Sequence, residues 1–237
     1  MNNKFYDGYY KYDANVAQTY DKSRMKERHW IQEDRFVKKY LRNRHVENLL
    51  DLPVGTGRFF SHYSGVRRVT GVDISEEMLQ LSKQKLFLLP DSVSICLEQG
   101  DVFNLQFANN TFDAILVFRL FHLLPENFLE PAIKELCRVS SNDVVLQTYV
   151  PRSRASLPKK MAVSLYFNSV FRKFTSLFYK RGLSTKKPWC HIQAYYHDQS
   201  IIDALFAKHG FLPLKTELLD VYEKTIEVRV AIYSRTN

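Results

Sequence analysis

At 237 residues with 45% apolar side chains, the chain is long enough to bury one substantial core, and it fits a single elaborated domain over residues 1–237 better than two. No run of about 18 uninterrupted apolar residues occurs, which predicts no transmembrane helix, and the opening MNNKFYDGYYKYD lacks the apolar stretch of a secretion signal, which predicts a cytoplasmic protein. The net charge of +9 is concentrated: ten of the 34 Lys and Arg lie between Pro151 and Cys190, a span without Asp or Glu, and the other 24 (34 less ten) face 25 acidic residues.

In chain order, residues 12–44 read as helical, with Trp30, Phe36, Val37, Tyr40 and Leu41 as apolar positions among nine Lys or Arg between Lys22 and Arg44. Strands are predicted at 47–52, 67–73, 92–98, 112–118 and 143–150, with helices between them at 57–64, 75–88 and 126–139. Strands alternating with helices imply an α/β, Rossmann-like doubly wound sheet, parallel over these strands, with right-handed crossovers and ligands at the C-terminal strand ends. Past Pro151 the pattern lapses. It resumes with a helix at 198–209 and strands at 211–217 and 225–234, the last alternating Ile226, Val228, Val230 and Ile232 with Glu227, Arg229, Ala231 and Tyr233, and their short connection allows antiparallel pairing. Cys96, Cys137 and Cys190 are too few and scattered for a disulfide frame or a metal site, and Cys96 and Cys137 read as buried thiols. The absence of H-x-H and H-E-x-x-H spacings predicts no metal.

Residues 48–60 read NLLDLPVGTGRFF and residues 71–78 read GVDISEEM, so an apolar strand, a glycine turn and a second strand ending in a carboxylate follow one another. Gly55 and Gly57 let the backbone turn tightly and leave a ligand room to approach, while Asp73 can accept hydrogen bonds from two ribose hydroxyls. A dinucleotide fingerprint read from Gly55 needs glycine at 60, where the chain has Phe60, which argues against a pyrophosphate. Asp73 also precedes Ser75 and Glu76 at a helix start, and the alternative to the ribose reading is capping apparatus.

These motifs, followed in order by EQGDVFNLQFANNTFDAILVFRLFHLL (residues 98–124) and AIKELCRVS (residues 132–140), resemble the class I S-adenosylmethionine-dependent methyltransferases of small-molecule type. The resemblance implies an antiparallel final strand, S-adenosyl-L-methionine as cofactor and S-adenosyl-L-homocysteine as product. By resemblance, Asp51 helps hold the methionine amine, Asp73 the ribose and Asp101 the adenine amino group. Val102 offers its N–H to the ring, Ile74 and Met78 pack on the base, and Phe118 and Arg119 wall the methionine pocket, although Arg119 reads also as a surface residue. Tyr12, Tyr20 and Arg24 resemble an N-terminal lid within residues 1–46, with Arg24 paired to the methionine carboxylate; the alternative is a solvated basic helix packed by Tyr20. The family's usual glycine stands as Pro53 before Val54, Gly55, Thr56 and Gly57. Proline ends the strand there, and it either stiffens the turn or weakens the cofactor site.

Methyl transfer from a sulfonium needs mainly alignment and water exclusion, but a hydroxyl or carbon nucleophile also needs a base, which points to His122, just past the fourth strand, or to His191 and His197. His122, flanked by Phe121 and Leu123, reads also as a buried structural residue, and Trp189, Tyr195 and Tyr196 read either as a substrate pocket or as packing. No N-P-P-Y/F motif and no Pro-Cys pair of nucleic-acid methylating enzymes is present. Residues 151–190 form a basic, Phe-rich cap insertion: from Val163 to Phe178 apolar residues, including Phe167, Phe171, Phe174 and Phe178, fall along one helical face. That face reads as an acceptor-pocket lid, as an interfacial helix giving peripheral membrane contact over 159–181, or as an RNA-docking surface. The combined expectation is a methyltransferase for a small, apolar or lipid-like acceptor. The alternatives are an RNA methyltransferase and a degenerate cofactor-binding domain docking on a membrane or partner.

Overall fold

The computed structural model describes residues 21, 24–152, 194–222 and 225–236. Its elements in chain order are α1 (Arg28–Arg42), β1 (Asn48–Asp51), β2 (Arg68–Asp73), α2 (Glu76–Lys83), β3 (Ser94–Gln99), β4 (Phe112–Val117), α3 (Leu129–Val139), β5 (Ser140–Pro151), α4 (Gln199–Lys208), β6 (Phe211–Tyr222) and β7 (Ile226–Arg235). They build one sheet of seven strands in the order β3-β2-β1-β4-β5-β7-β6. Strands β1 to β5 run parallel, and β7 pairs antiparallel with both β5 and β6, as expected for the two closing strands.

Side chains of successive strand residues point to opposite faces, and both faces are covered. Ile115, Val117, Val144 and Leu146 join α3 and α4 through Leu136, Ile133, Ile202 and Phe206. Ala114, Leu116 and Val145 face α1 through Phe36, Val37, Tyr40 and Leu41. Because β1 and β4 are neighbours while the chain winds outward from them on either side, the strand order reverses there, and a crevice opens outside their C-terminal ends.

Three expectations are corrected. The helix predicted at 57–64 is a chain of tight turns with one 3-10 turn at Phe60–His62. Gly57 takes φ +72°, which ends regular helix, and a Cβ built there would meet the Phe60 ring at 2.5 Å. The helix predicted at 75–88 stops at Lys83, followed by a 3-10 turn at Leu86–Leu88. Cys96 is exposed, because β3 is the sheet's edge strand; Cys137 is buried, as expected. Of the helix predicted over 12–44, α1 begins only at Arg28, and residues 12–20 lie outside the described residues. So does the Phe-rich stretch of the cap, together with Trp189, Cys190 and His191.

Candidate active site

The turn after β1 is set by its own backbone. Strand β1 ends at Asp51, the Leu52–Pro53 peptide is cis, and Val54 N–H donates to the Val72 carbonyl at 2.9 Å, so the turn is tied to β2 as it leaves β1. Gly55 follows with φ +55°, a conformation that costs a residue bearing a Cβ roughly 1–2 kcal/mol. A Cβ built on Gly55 has no heavy atom within 4 Å, so the backbone is open to close approach there.

Asp73 sits at the C-terminal end of β2, buried, with one carboxylate oxygen accepting from Gly55 N–H at 2.9 Å and the other from Ser75 N–H at 2.9 Å. It is therefore the anchor of the glycine turn, whereas the capping of α2 falls to the Ser75 hydroxyl, which accepts from Met78 N–H. A carboxylate has about four acceptor sites, so capacity remains for further donors. Burial pushes the Asp73 carboxyl up to about 6 against the opposing pull of its backbone donors. Burial likewise pushes Asp51 up to about 7, although Tyr63 donates to it at 2.5 Å; the nearby Asp73 charge adds to the rise.

These groups border a cleft of about 690 Å³, its open mouth included, lined by Pro53, Val54, Gly55, Thr56, Asp73, Ile74, Met78, Phe118 and Arg119 among others. Eight of the residues singled out from sequence thus come together here. Asp51 lies buried behind the turn, held by Tyr63. Asp101 and Val102 are outside the lining: Asp101 closes its own turn, accepting from Phe103 N–H at 3.1 Å, and Val102 packs in the core. Arg24 does not reach the cleft either, and pairs with Glu27 at 2.6 Å. Tyr20 lies outside the described residues.

The rest of the lining holds what the sequence left unread. Trp30, Arg58, Phe59, Leu120 and Leu123 complete the lining. Glu33, fully buried on α1, accepts from Arg58 at 2.5 Å, from Arg119 Nε at 3.0 Å and from the Gln147 amide at 3.0 Å. The Arg58 guanidinium lies over the Trp30 ring, 3.6 Å from its centroid, a cation–π contact. Arg119, also buried, is not a surface residue: it takes φ +58° just past β4, and Gln147 accepts its amide N–H at 2.8 Å, which holds that strained backbone. One signal for Glu33 was present, since Trp30, Glu33, Val37 and Tyr40 share helical spacing on the apolar face.

His122 sits in a 3-10 turn beside the cleft rather than in its lining, with its ring 5.1 Å from that of Tyr149 in a T-shaped contact. Its carbonyl accepts from Tyr195 N–H at 2.8 Å, which brings residues 194–198 alongside. His197 is buried with Nε2 3.1 Å from the Phe121 carbonyl, and burial lowers its pKa against the opposing pull of backbone carbonyls. Among the described residues no cluster of His, Cys, Asp or Glu fits a metal, and no helix is long and apolar enough to cross a membrane.

Residues 49–143 match the family described as the methyltransferase domain. A demethylmenaquinone methyltransferase of Staphylococcus epidermidis is 33% identical over 149 residues, which cover 61% of this chain and 57% of that protein. A phosphatidylethanolamine N-methyltransferase of Cereibacter sphaeroides is 32% identical over 111 residues, covering 46% and 54%. The chain thus spans little more than half the length of these relatives. The crystal structure of magnesium protoporphyrin IX methyltransferase from Synechocystis, with bound S-adenosylmethionine, superposes with a TM-score of 0.67 at 13% identity over the full length of both chains, which establishes the shared fold. Residues 49–143 thus match the methyltransferase-domain family, and the sheet around them has the fold of that S-adenosylmethionine-bound structure.

Proposed function

We propose that this chain is an S-adenosylmethionine-dependent methyltransferase acting on a small, apolar or lipid-like acceptor. The observation that carries the cofactor half is the juxtaposition, at the sheet's reversal point, of an open left-handed Gly55 with the buried Asp73 carboxylate that holds it. Asp73 receives the ribose hydroxyls on its remaining acceptor sites, Ile74 and Met78 give the base an apolar seat, and Phe118, Trp30 and Phe59 add aromatic lining to the cleft. When bound, the cofactor supplies a methyl group already activated on a sulfonium. The chain's own task is then to orient the acceptor and exclude water. His122, at the edge of the cleft, and His191 are the proposed bases for an acceptor that must lose a proton. The acceptor half rests on the apolar lining and on the relatives named for demethylmenaquinone and phosphatidylethanolamine. We further assign residues 151–190 to the acceptor-side cap and 159–181 to peripheral membrane contact.

The test is production of S-adenosylhomocysteine from S-adenosylmethionine with a panel of hydroquinones, isoprenoid phenols and aminophospholipids, run beside total RNA. Turnover with an apolar acceptor supports the proposal. Turnover confined to RNA transfers the chain to the alternative reading, and binding without turnover on any acceptor points to a degenerate domain.

A further inference from the structure

We propose that the outer face of α1, with the adjoining edge strand β6, is a docking surface for anionic phospholipid. It goes beyond the assignment of 159–181 and rests neither on that segment nor on the cofactor reading.

Position on the helix carries the first step. Arg28, Ile31, Arg35, Lys38 and Arg42 follow at spacings of three and four, with Lys39 beside Lys38, so they form one stripe, and all six side chains are exposed. Trp30, Glu33, Val37 and Tyr40 take the buried side, so the same helix lends Trp30 to the cleft and presents five cations to solvent. The carboxylates of α1 do not offset them: Glu33 is buried and holds Arg58 and Arg119, and Asp34 sits 2.9 Å from His62. Arg28 lies 3.9 Å from Asp220, and among the described residues Arg35, Lys38, Lys39 and Arg42 form no ion pair. Helix stability does not explain the stripe. The dipole favours cations in the last turn, where Lys39 and Arg42 stand, but opposes Arg28 in a first turn that has no acidic residue.

The second step identifies what meets these charges. Leu214 borders a shallow cleft of about 720 Å³, its open mouth included, beside Lys39 and the buried Phe36, Tyr40 and Ile232. Leu212 opposes Ser234, whose hydroxyl meets that of Tyr40 at the Asp143 carboxylate, so Leu212 stands on the α1 side of the sheet too. Ile31, Leu212 and Leu214 are 46%, 51% and 57% exposed. Cations joined to exposed aliphatic carbon fit an anionic bilayer, which offers phosphates and, just below them, acyl chains. Nucleic acid offers such carbon little, since its bases stack on aromatic rings, and a second copy of the chain brings a further net charge of +9.

The experiment measures sedimentation of the full chain with vesicles of phosphatidylcholine alone and of phosphatidylcholine mixed equally with phosphatidylglycerol. Wild type is expected to bind the mixed vesicles and to lose that binding as salt is raised. The triple variant Arg35→Gln, Lys38→Gln, Arg42→Gln is expected to bind on the order of a hundredfold less, at about fivefold per cation, and Leu214→Ser several-fold less. Residues 151–190 are intact in both, so binding through that segment would survive them. If the triple variant melts early, Lys38→Gln alone, with an expected loss of about fivefold, and Leu214→Ser decide. Wild type that does not distinguish the two vesicles, or folded variants that bind as wild type does, overturn the proposal. So do two other results: RNA retention that the triple variant loses without any change on vesicles, which assigns the stripe to nucleic acid, and a dimer that it dissociates without any change on vesicles, which assigns the stripe to a second copy.

Discussion

Glu33→Gln is the sharpest test of how the cleft's wall is held. Glu33 is fully buried and serves three donors on three separate segments: Arg58 after the glycine turn, Arg119 after β4 and Gln147 on β5. Glutamine keeps the volume and one carbonyl acceptor, but it removes the buried charge that Arg58 and Arg119 share, while Arg119 keeps its ion pair with Glu27. Removing one partner of a buried ion pair costs about 3–5 kcal/mol. For a chain of this size each kcal/mol shifts the melting temperature by roughly 2–4 °C, so thermal unfolding is expected to fall by roughly 6–20 °C. Urea denaturation gives the free energy directly, and a double-mutant cycle with Arg119→Met isolates the pair, with an expected coupling of about 0.5–3 kcal/mol. A loss under about 1 kcal/mol in Glu33→Gln, the range of exposed pairs, together with additive double mutants, would refute the claim that Glu33 organises this wall.

The Asp73 carboxyl, raised by burial to about 6 from an unfolded value near 3.8, favours the folded state most below that lower value and loses the contribution as pH rises through 6, a span of about 3 kcal/mol. Hydroxyl donors from a ligand favour its charged form, so ligand binding at pH 6 is expected to release a proton, and calorimetric enthalpies in phosphate and Bis-Tris, which both buffer near that pH and differ in protonation enthalpy, should differ; identical enthalpies would contradict this. Gly57→Ala forces a Cβ into the Phe60 ring at φ +72° and is expected to destabilise the fold more than Gly55→Ala, whose φ of +55° costs roughly 1–2 kcal/mol but whose Cβ meets no protein atom and obstructs only an approaching ligand; matched denaturation and binding curves decide. Peptide mapping after brief treatment with a thiol reagent should find Cys96 labelled in the native protein and Cys137 labelled only on unfolding, since burial pushes the Cys137 thiol up to about 12.

The residues that the sequence revealed are those whose chemistry is local. Gly55 and Gly57 signal left-handed turns by their identity, and Asp73 stands out by its place at the end of an apolar strand, so the glycine turn and the carboxylate that holds it were legible in the sequence. Arg58, Glu33 and Gln147 were not, because each acquires meaning from partners 25 to 114 residues away. Gly57 also explains the failed helix at 57–64: the spacing of apolar residues there was helical, but one left-handed backbone angle overrides it. Cys96 failed for a different reason. The alternation in SICLEQ marks a strand equally well at the edge or the centre of a sheet, and only the strand order puts β3 at the edge.

The most direct test of the central claim is calorimetric titration of S-adenosylhomocysteine into wild type and Asp73→Ala. Micromolar binding to wild type that is lost in the folded variant is the predicted result. Absence of binding to folded wild type, or equal binding by both proteins, would contradict the assignment of this cleft as the cofactor site.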